Sequence, residues 1–277
     1  MVAQQHRLDA ISNNLANANT VGYKRDVSVH KAFPELLLRR MSDNSVIQFP
    51  YRGDPVGSVD KAPVVGRLGT GVEQNEVFTI FEQGAVKQTE NPFDMAIEGE
   101  GFFVVDTPYG ERYTRNGAFT IGPESRLVTQ QGYPVLGSDG NPIEIKVNNF
   151  VVDEYGRVFA NERFLDDPQR LVQMMENEWD ETIQIGRIRV VGMEETRYLR
   201  KEGANLLNTT DESGPAYDLV DDDRPVVLQG FLEQANVNPV VEMTQMIEVN
   251  RAYEANQKVV HSQDQSTARL INEVMRL

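Results

Sequence analysis

Apolar residues recur at alternating steps of three and four near the end of the chain. Met246, Val249, Tyr253, Asn256, Val260, Gln263, Thr267, Leu270, Val274 and Leu277 share one helical stripe, and only three of them are polar. Asn238-Pro239 reads as an N-cap with proline at the first helical position, and no Gly or Pro occurs in the 38 residues after it. The pattern predicts one unbroken helix about 57 Å long carrying a coiled-coil seam. Asn256, Gln263 and Thr267 weaken the middle of that seam, so the helix is expected to need partners. A shorter stripe of the same spacing opens the chain at Met1, Gln4, Leu8, Ile11, Leu15 and Ala18, and ends in the Asn/Thr-rich run before Gly22. Ala32, Phe33 and Leu36-Leu37-Leu38 predict a second helical piece to about Met41. Both stripes also fit helices that merely pack on a neighbouring core.

Between the helices the pattern shortens. Residues 42–76, with Pro50, Pro55, Pro63 and several glycines, hold no sustained period and read as an extended connector. From Val77 onward, short apolar runs alternate with turn signals. Phe102 to Val105, Ile143 to Val147, Gln184 to Val191 and Pro225 to Leu228 are strand candidates, and Asn116-Gly117 and Asp139-Gly140 suit tight hairpin turns. Residues 161–180, with the single tryptophan Trp179, fit a short helix or a polar loop. The expected fold is mixed and mainly β with terminal α-helices. Residues 1–41 and 233–277 would form a discontinuous, coiled-coil-like helical domain, 42–76 the connector and 77–232 a central β domain.

Composition narrows the function classes. The 277-residue chain has a net charge of −15, yet residues 1–41 carry six Lys/Arg against three Asp/Glu, and residues 238–277 four against five. The acid therefore sits in the middle, which argues against nucleic-acid binding, because phosphate neutralisation needs a clustered basic face. With no cysteine, disulfides and thiolate chemistry are excluded. No apolar run is long enough to span a bilayer, and Met-Val-Ala-Gln-Gln-His-Arg lacks the layout of a cleaved secretory signal. Either the protein stays in the cytoplasm, or it leaves by a route that reads no such signal.

Catalytic constellations find little support. His6, His30 and His261 lie in the terminal segments without metal-ligand spacing, and Gly66, Gly69 and Gly71 match neither a dinucleotide nor a phosphate loop. Asp94, Glu98 and Glu100 are the sharpest enzymatic alternative, an acid and base for glycoside cleavage, but such proximity is expected by chance among 42 acidic residues. No cofactor is expected.

Three stretches carry a family resemblance. Residues 11–25, Ile-Ser-Asn-Asn-Leu-Ala-Asn-Ala-Asn-Thr-Val-Gly-Tyr-Lys-Arg, resemble the N-terminal signature of flagellar rod and hook proteins. Residues 235–256, from Ala-Asn-Val-Asn-Pro to Asn-Arg-Ala-Tyr-Glu-Ala-Asn, are similar to the other end of that family. Residues 91–103 with Tyr113-Thr114-Arg115-Asn116-Gly117 resemble its shared β domain. The resemblance implies a structural subunit, not an enzyme. Its terminal helices would line an inner tube around an export channel, with the β domain outside, and it would reach the periplasmic part of the basal body by flagellar type III export. Its partners would be copies of itself, neighbouring rod or hook subunits, the basal-body rings and the export apparatus, with no nucleic acid and no membrane insertion. The expected assembly residues are Leu8, Ile11, Leu15, Gly22, Tyr23, Lys24, Arg25, Met246, Val249, Tyr253, Val260, Leu270 and Val274. Within the family a proximal rod subunit is favoured, and length and a single compact β region argue against a hook subunit. The motif Gly66-Arg67-Leu68-Gly69-Thr70-Gly71-Val72 resembles distal rod proteins, the next reading, ahead of a hook subunit or a secreted β-rich adhesin. Family members carry a short helical stretch before the position matched by Met1, so a truncated start is also expected.

Overall fold

The computed structural model describes residues 2–39, 46–51, 54–60, 64–69, 71–145, 150–160, 183–219 and 224–274. The expectation for 161–180 lies outside them. The fold is mainly β with a helix at each end. Helix α1 spans Val2–Ala16 and α2 spans Pro239–Val274. Asn238 caps α2 as expected: its Oδ1 accepts the Val240 N–H at 3.1 Å, which satisfies one of the donors a helix start leaves open.

The chain divides into two compact units. One comprises residues 1–7, 28–77 and 252–277. Its β part is a set of two-stranded ribbons: β1 (Asp26–Ala32) with β6 (Val72–Thr79), β2 (Leu36–Arg39) with β5 (Val64–Leu68), and β3 (Val46–Tyr51) with β4 (Asp54–Asp60). Two sequence expectations are corrected here. Leu36-Leu37-Leu38 are strand, not helix, with Leu36 opposite Leu68 in an antiparallel register. The stretch expected as a connector supplies the partner strands. A short apolar run bounded by Pro34 has no period that separates helix from strand, and the ladder bonds that decide it come from a segment some thirty positions away.

The other unit comprises residues 8–27 and 78–251. A six-stranded antiparallel sheet runs in the order β17 (Arg200–Glu202), β18 (Leu206–Asn208), β10 (Gly110–Thr114), β9 (Phe102–Thr107), β16 (Val190–Gly192), β19 (Tyr217–Asp218). Around it lie a three-stranded sheet of β13 (Phe150–Val152), β14 (Arg157–Ala160) and β15 (Ile183–Arg187), and the pair β11 (Phe119–Ile121) with β12 (Leu127–Thr129). Two further pairs are β8 (Met95–Glu98) with β20 (Val226–Gln229) and β7 (Val86–Gln88) with β21 (Phe231–Glu233).

Strand β9 explains the layering. Phe103 and Val105 enter one apolar cluster with Met95, Ile97, Phe119 and Phe150, while Phe102 and Val104 enter a second with Tyr113, Val191 and Leu207. A strand buried on both faces reads as a continuous apolar run, as Phe102 to Val105 does. Each such fully buried side chain stabilises the fold by about 1.5–3 kcal/mol relative to exposure.

The expected turn at Asp139-Gly140 is present, with Gly140 at φ +74°. Asn116-Gly117 is not a hairpin turn, since neither residue has positive φ. Gly117 instead allows two backbones to approach, because a Cβ there would lie 1.6 Å from the Met95 carbonyl oxygen. Of the expected strand at 143–147, residues 143–145 form only an isolated bridge, Glu144 to Arg126, and the rest is outside the described residues.

Candidate functional site

The sequence signature at 11–25 ends in a strap that threads through the β unit. Past α1 the chain turns, and Gly22 enters at φ +68°, a conformation glycine reaches without strain. The Gly22 N–H donates to the Glu233 carbonyl at 2.8 Å, the Ile80 N–H to the Arg25 carbonyl at 2.8 Å, and the Asn236 N–H to the Tyr23 carbonyl at 3.4 Å. Asn236 ties both sides together. Its Oδ1 accepts the Arg25 N–H at 2.7 Å and its Nδ2 donates to the Ile80 carbonyl at 2.8 Å. Residues 22–26 are thus held between the segment entering the β core and the segment leading to α2.

Charged side chains lock the strap from two directions. Lys24, 3% exposed, donates to Glu233 Oε1 at 2.5 Å and to the Glu82 carbonyl at 2.7 Å. Glu233, fully buried, also accepts the Gly84 N–H at 2.8 Å, and its Oε2 pairs with Arg115 Nη1 at 3.4 Å. Arg115 reaches the Gly99 carbonyl at 2.6 Å through Nη2. One carboxylate therefore serves two buried cations. On the other side Lys201 donates to the Lys24 carbonyl at 2.6 Å and to Asp26 Oδ1 at 2.8 Å, with its Nζ 4.0 Å from the Tyr23 ring centroid. The Tyr23 hydroxyl donates to Asn14 Oδ1 at 3.1 Å, and Asn14 also accepts the Asp26 N–H at 2.9 Å.

Burial sets the electrostatics. Burial first, then the Asp26 carboxylate, raises the Tyr23 hydroxyl above its ordinary value. Burial lowers Lys24, Arg115 and Lys201, and the carboxylates of Glu233 (for Lys24 and Arg115) and Asp26 (for Lys201) oppose that shift. A buried carboxylate facing two cations is strongly position-specific, since removing the carboxylate strands both cations.

The expected assembly residues divide into groups. Gly22, Tyr23 and Lys24 are buried, so the strap is committed within the chain, where sequence reasoning aimed Tyr23, Lys24 and Arg25 outward at a neighbour. Arg25 is half-buried, 3.7 Å from Glu242 in the first turn of α2. Ile11 and Val249 are buried, Leu8, Leu15, Met246 and Tyr253 are half-buried, and Val260 and Leu270 are exposed; the Val274 side chain lies outside the description. Sequence reasoning missed Asp26, Lys201 and Glu233 altogether, and gave Asn14, Arg115 and Asn236 no role beyond their motifs. The acidic alternative does not assemble as a pair: Asp94 is buried and accepts a bond from Asn91 at 3.0 Å, whereas Glu98 and Glu100 are exposed. Among the described residues, no group of three or more His, Cys, Asp or Glu is placed to hold a metal, and no helix is long and apolar enough to cross a membrane.

Comparison with known proteins places this joint. The flagella basal body rod protein family matches residues 1–24, the flagellar hook protein FlgE/F/G D1 domain residues 96–160, and the flagellar basal body rod FlgEFG protein C-terminal family residues 228–273. The Bacillus subtilis flagellar hook-basal body complex protein FlhO is 32% identical over 291 residues, covering 100% of this chain and 96% of its own. The Caulobacter vibrioides flagellar basal-body rod protein FlgF is 34% identical over 263 residues, covering 92% of this chain and 86% of its own. The chain belongs to the flagellar basal-body rod protein family. It is a structural subunit of the rod. A FlgG rod protein from Buchnera aphidicola subsp. Schizaphis graminum is 32% identical over 272 residues, 97% of this chain and 94% of its own. Each matched segment supplies part of the joint of this rod subunit: Asn14 and Lys24 from the first, Arg115 from the second, Glu233 and Asn236 from the third.

Proposed function

We propose that this rod subunit occupies the proximal, periplasmic part of the rod. There α1 and α2 pair with each other and with those of neighbouring copies, as a coiled-coil-like inner layer around the export channel. The β unit forms the outer layer, able to meet the basal-body rings. The chain arrives through the type III export apparatus, and its work is mechanical, with no reaction catalysed.

The observation that carries this reading is the surface of α2. From Glu254 to Asn272 every residue is exposed, including Val259, Val260, Leu270 and Ile271 at 44–63%. A helix of 36 residues with apolar side chains along an uncovered length gains its stability from packing, which neighbouring copies supply in a helical assembly. The distal reading rests on the Gly66 to Val72 motif, and the order of assembly separates the two.

Val260→Asp or Leu270→Asp tests the reading. Either places a carboxylate in the proposed subunit contact while leaving the exposed monomer helix unstrained. Secreted protein is expected, with no motility and no axial subunits above the rod base; rods that grow but lack a hook favour the distal position. Wild-type motility in both variants would refute the assembly role.

A further inference from the structure

Among the described residues, neither apolar cluster of the β unit includes one from the first 27 positions, so the core closes without the strap. What fastens the strap is a set of backbone bonds, two asparagines, the Thr79 hydroxyl donating to Asp26 Oδ1, and the charge pairs Lys24–Glu233, Lys201–Asp26 and Arg25–Glu242, with Tyr23 the one aromatic side chain it buries. Release leaves Glu233 still joined to Arg115 and the Gly84 N–H, and frees the Lys24 ammonium to water. The position therefore has a supported open state, which a segment sharing the apolar core lacks.

We propose that residues 22–27 form a latch that opens and closes as one unit, independently of the β core. In the open state the core is folded and α1 is untied from the lead into α2, so the chain has a folded form with its ends released. In the closed state Lys24 and Lys201 fix both sides of the strap at once. The latch stands on the monomer's geometry and does not depend on where in the rod the subunit sits. Its bearing on assembly, a choice between released and fastened ends, does rest on the rod reading.

Native-state hydrogen exchange on the full-length monomer tests this, read at the Gly22, Arg25 and Asp26 amides against those of Val104 and Tyr113 in β9 and β10. In the wild type the strap amides should exchange at least about tenfold faster than the β9–β10 amides, through an opening insensitive to low urea. Lys24→Met and, separately, Lys201→Met should each speed strap exchange by about 10- to 100-fold, still through an opening insensitive to low urea, and β9–β10 exchange by no more than that factor, so that the β9–β10 amides remain at least about tenfold the slower set. Strap exchange that shares the rate and the urea dependence of the β9–β10 amides, loss of the gap between the two sets in either variant, or strap exchange unchanged in both would overturn the latch.

Discussion

Charge counting at Glu233 makes a sharp prediction. Glu233→Gln keeps the size of the side chain but removes the anion shared by Lys24 and Arg115, leaving two buried cations facing an amide. Uncompensated buried charge of this kind costs about 3–5 kcal/mol. Lys24→Met removes one cation instead. Glu233 then keeps Arg115 and the Gly84 N–H, and the Glu82 carbonyl keeps Asn236 Nδ2 at 3.2 Å, so the loss is one charge-assisted bond, about 1.5–3 kcal/mol. Adding Lys24→Met to Glu233→Gln removes a stranded cation, so the double variant should be more stable than additivity predicts, by about 1–3 kcal/mol. Release of the strap caps both losses that involve Lys24. The pH dependence follows from the same pair. Burial already holds Lys24 below its ordinary value in the folded state, so between its folded and ordinary values the unfolded chain holds more protons and stability rises with pH. Without Glu233 that window extends further down, and the deficit of Glu233→Gln should shrink as pH rises towards about 10. Urea unfolding followed by circular dichroism measures all of this. A Lys24→Met loss as large as that of Glu233→Gln, or strict additivity, would refute the reasoning.

Two further outcomes are expected. Tyr23 stays protonated in the fold above pH 10.0, where an ordinary tyrosine ionises, so above that pH the unfolded chain loses a proton the folded chain keeps, and stability falls by up to about 1.4 kcal/mol per pH unit. Tyr23→Phe should flatten this alkaline slope in urea midpoints, and an unchanged slope would contradict the burial of the hydroxyl. Gly22→Val meets both a φ of +68° and a Cβ 2.5 Å from the Asn116 nitrogen, so the strap should undock, exposing residues 17–27 to protease while the β9–β10 amides stay protected. Wild-type resistance of that segment would show that Gly22 is misjudged.

The terminal helices and strands β9, β15, β16 and β20 were legible because their evidence is local: a three-four stripe, an Asn-Pro start, and short apolar runs between turn residues. The β2–β5 ribbon was not, because Leu36-Leu37-Leu38 has no period and its partner lies at Val64–Leu68. The joint was half legible. The signature drew attention to Gly22, Tyr23, Lys24 and Arg25, but lysine and tyrosine are ordinarily surface residues, and outward presentation was the natural reading. What reverses it is Glu233, 209 positions from Lys24 and one acid among 42. No spacing rule connects them, since the sheet pairings of β21 and β10 bring Glu233 and Arg115 to the strap. Gly117 was read as a turn former because Asn-Gly usually is, whereas here it admits the Met95 backbone.

The central claim, that this rod subunit assembles through its terminal helices, is tested most directly by cryo-EM density of the intact basal body at side-chain resolution. The account predicts α2 in the inner layer, with Val259, Val260, Leu270 and Ile271 covered by helices of neighbouring copies. Density in which that face of α2 is open to solvent in the finished rod, or in which the inner layer is built by strands of the β unit, would contradict it.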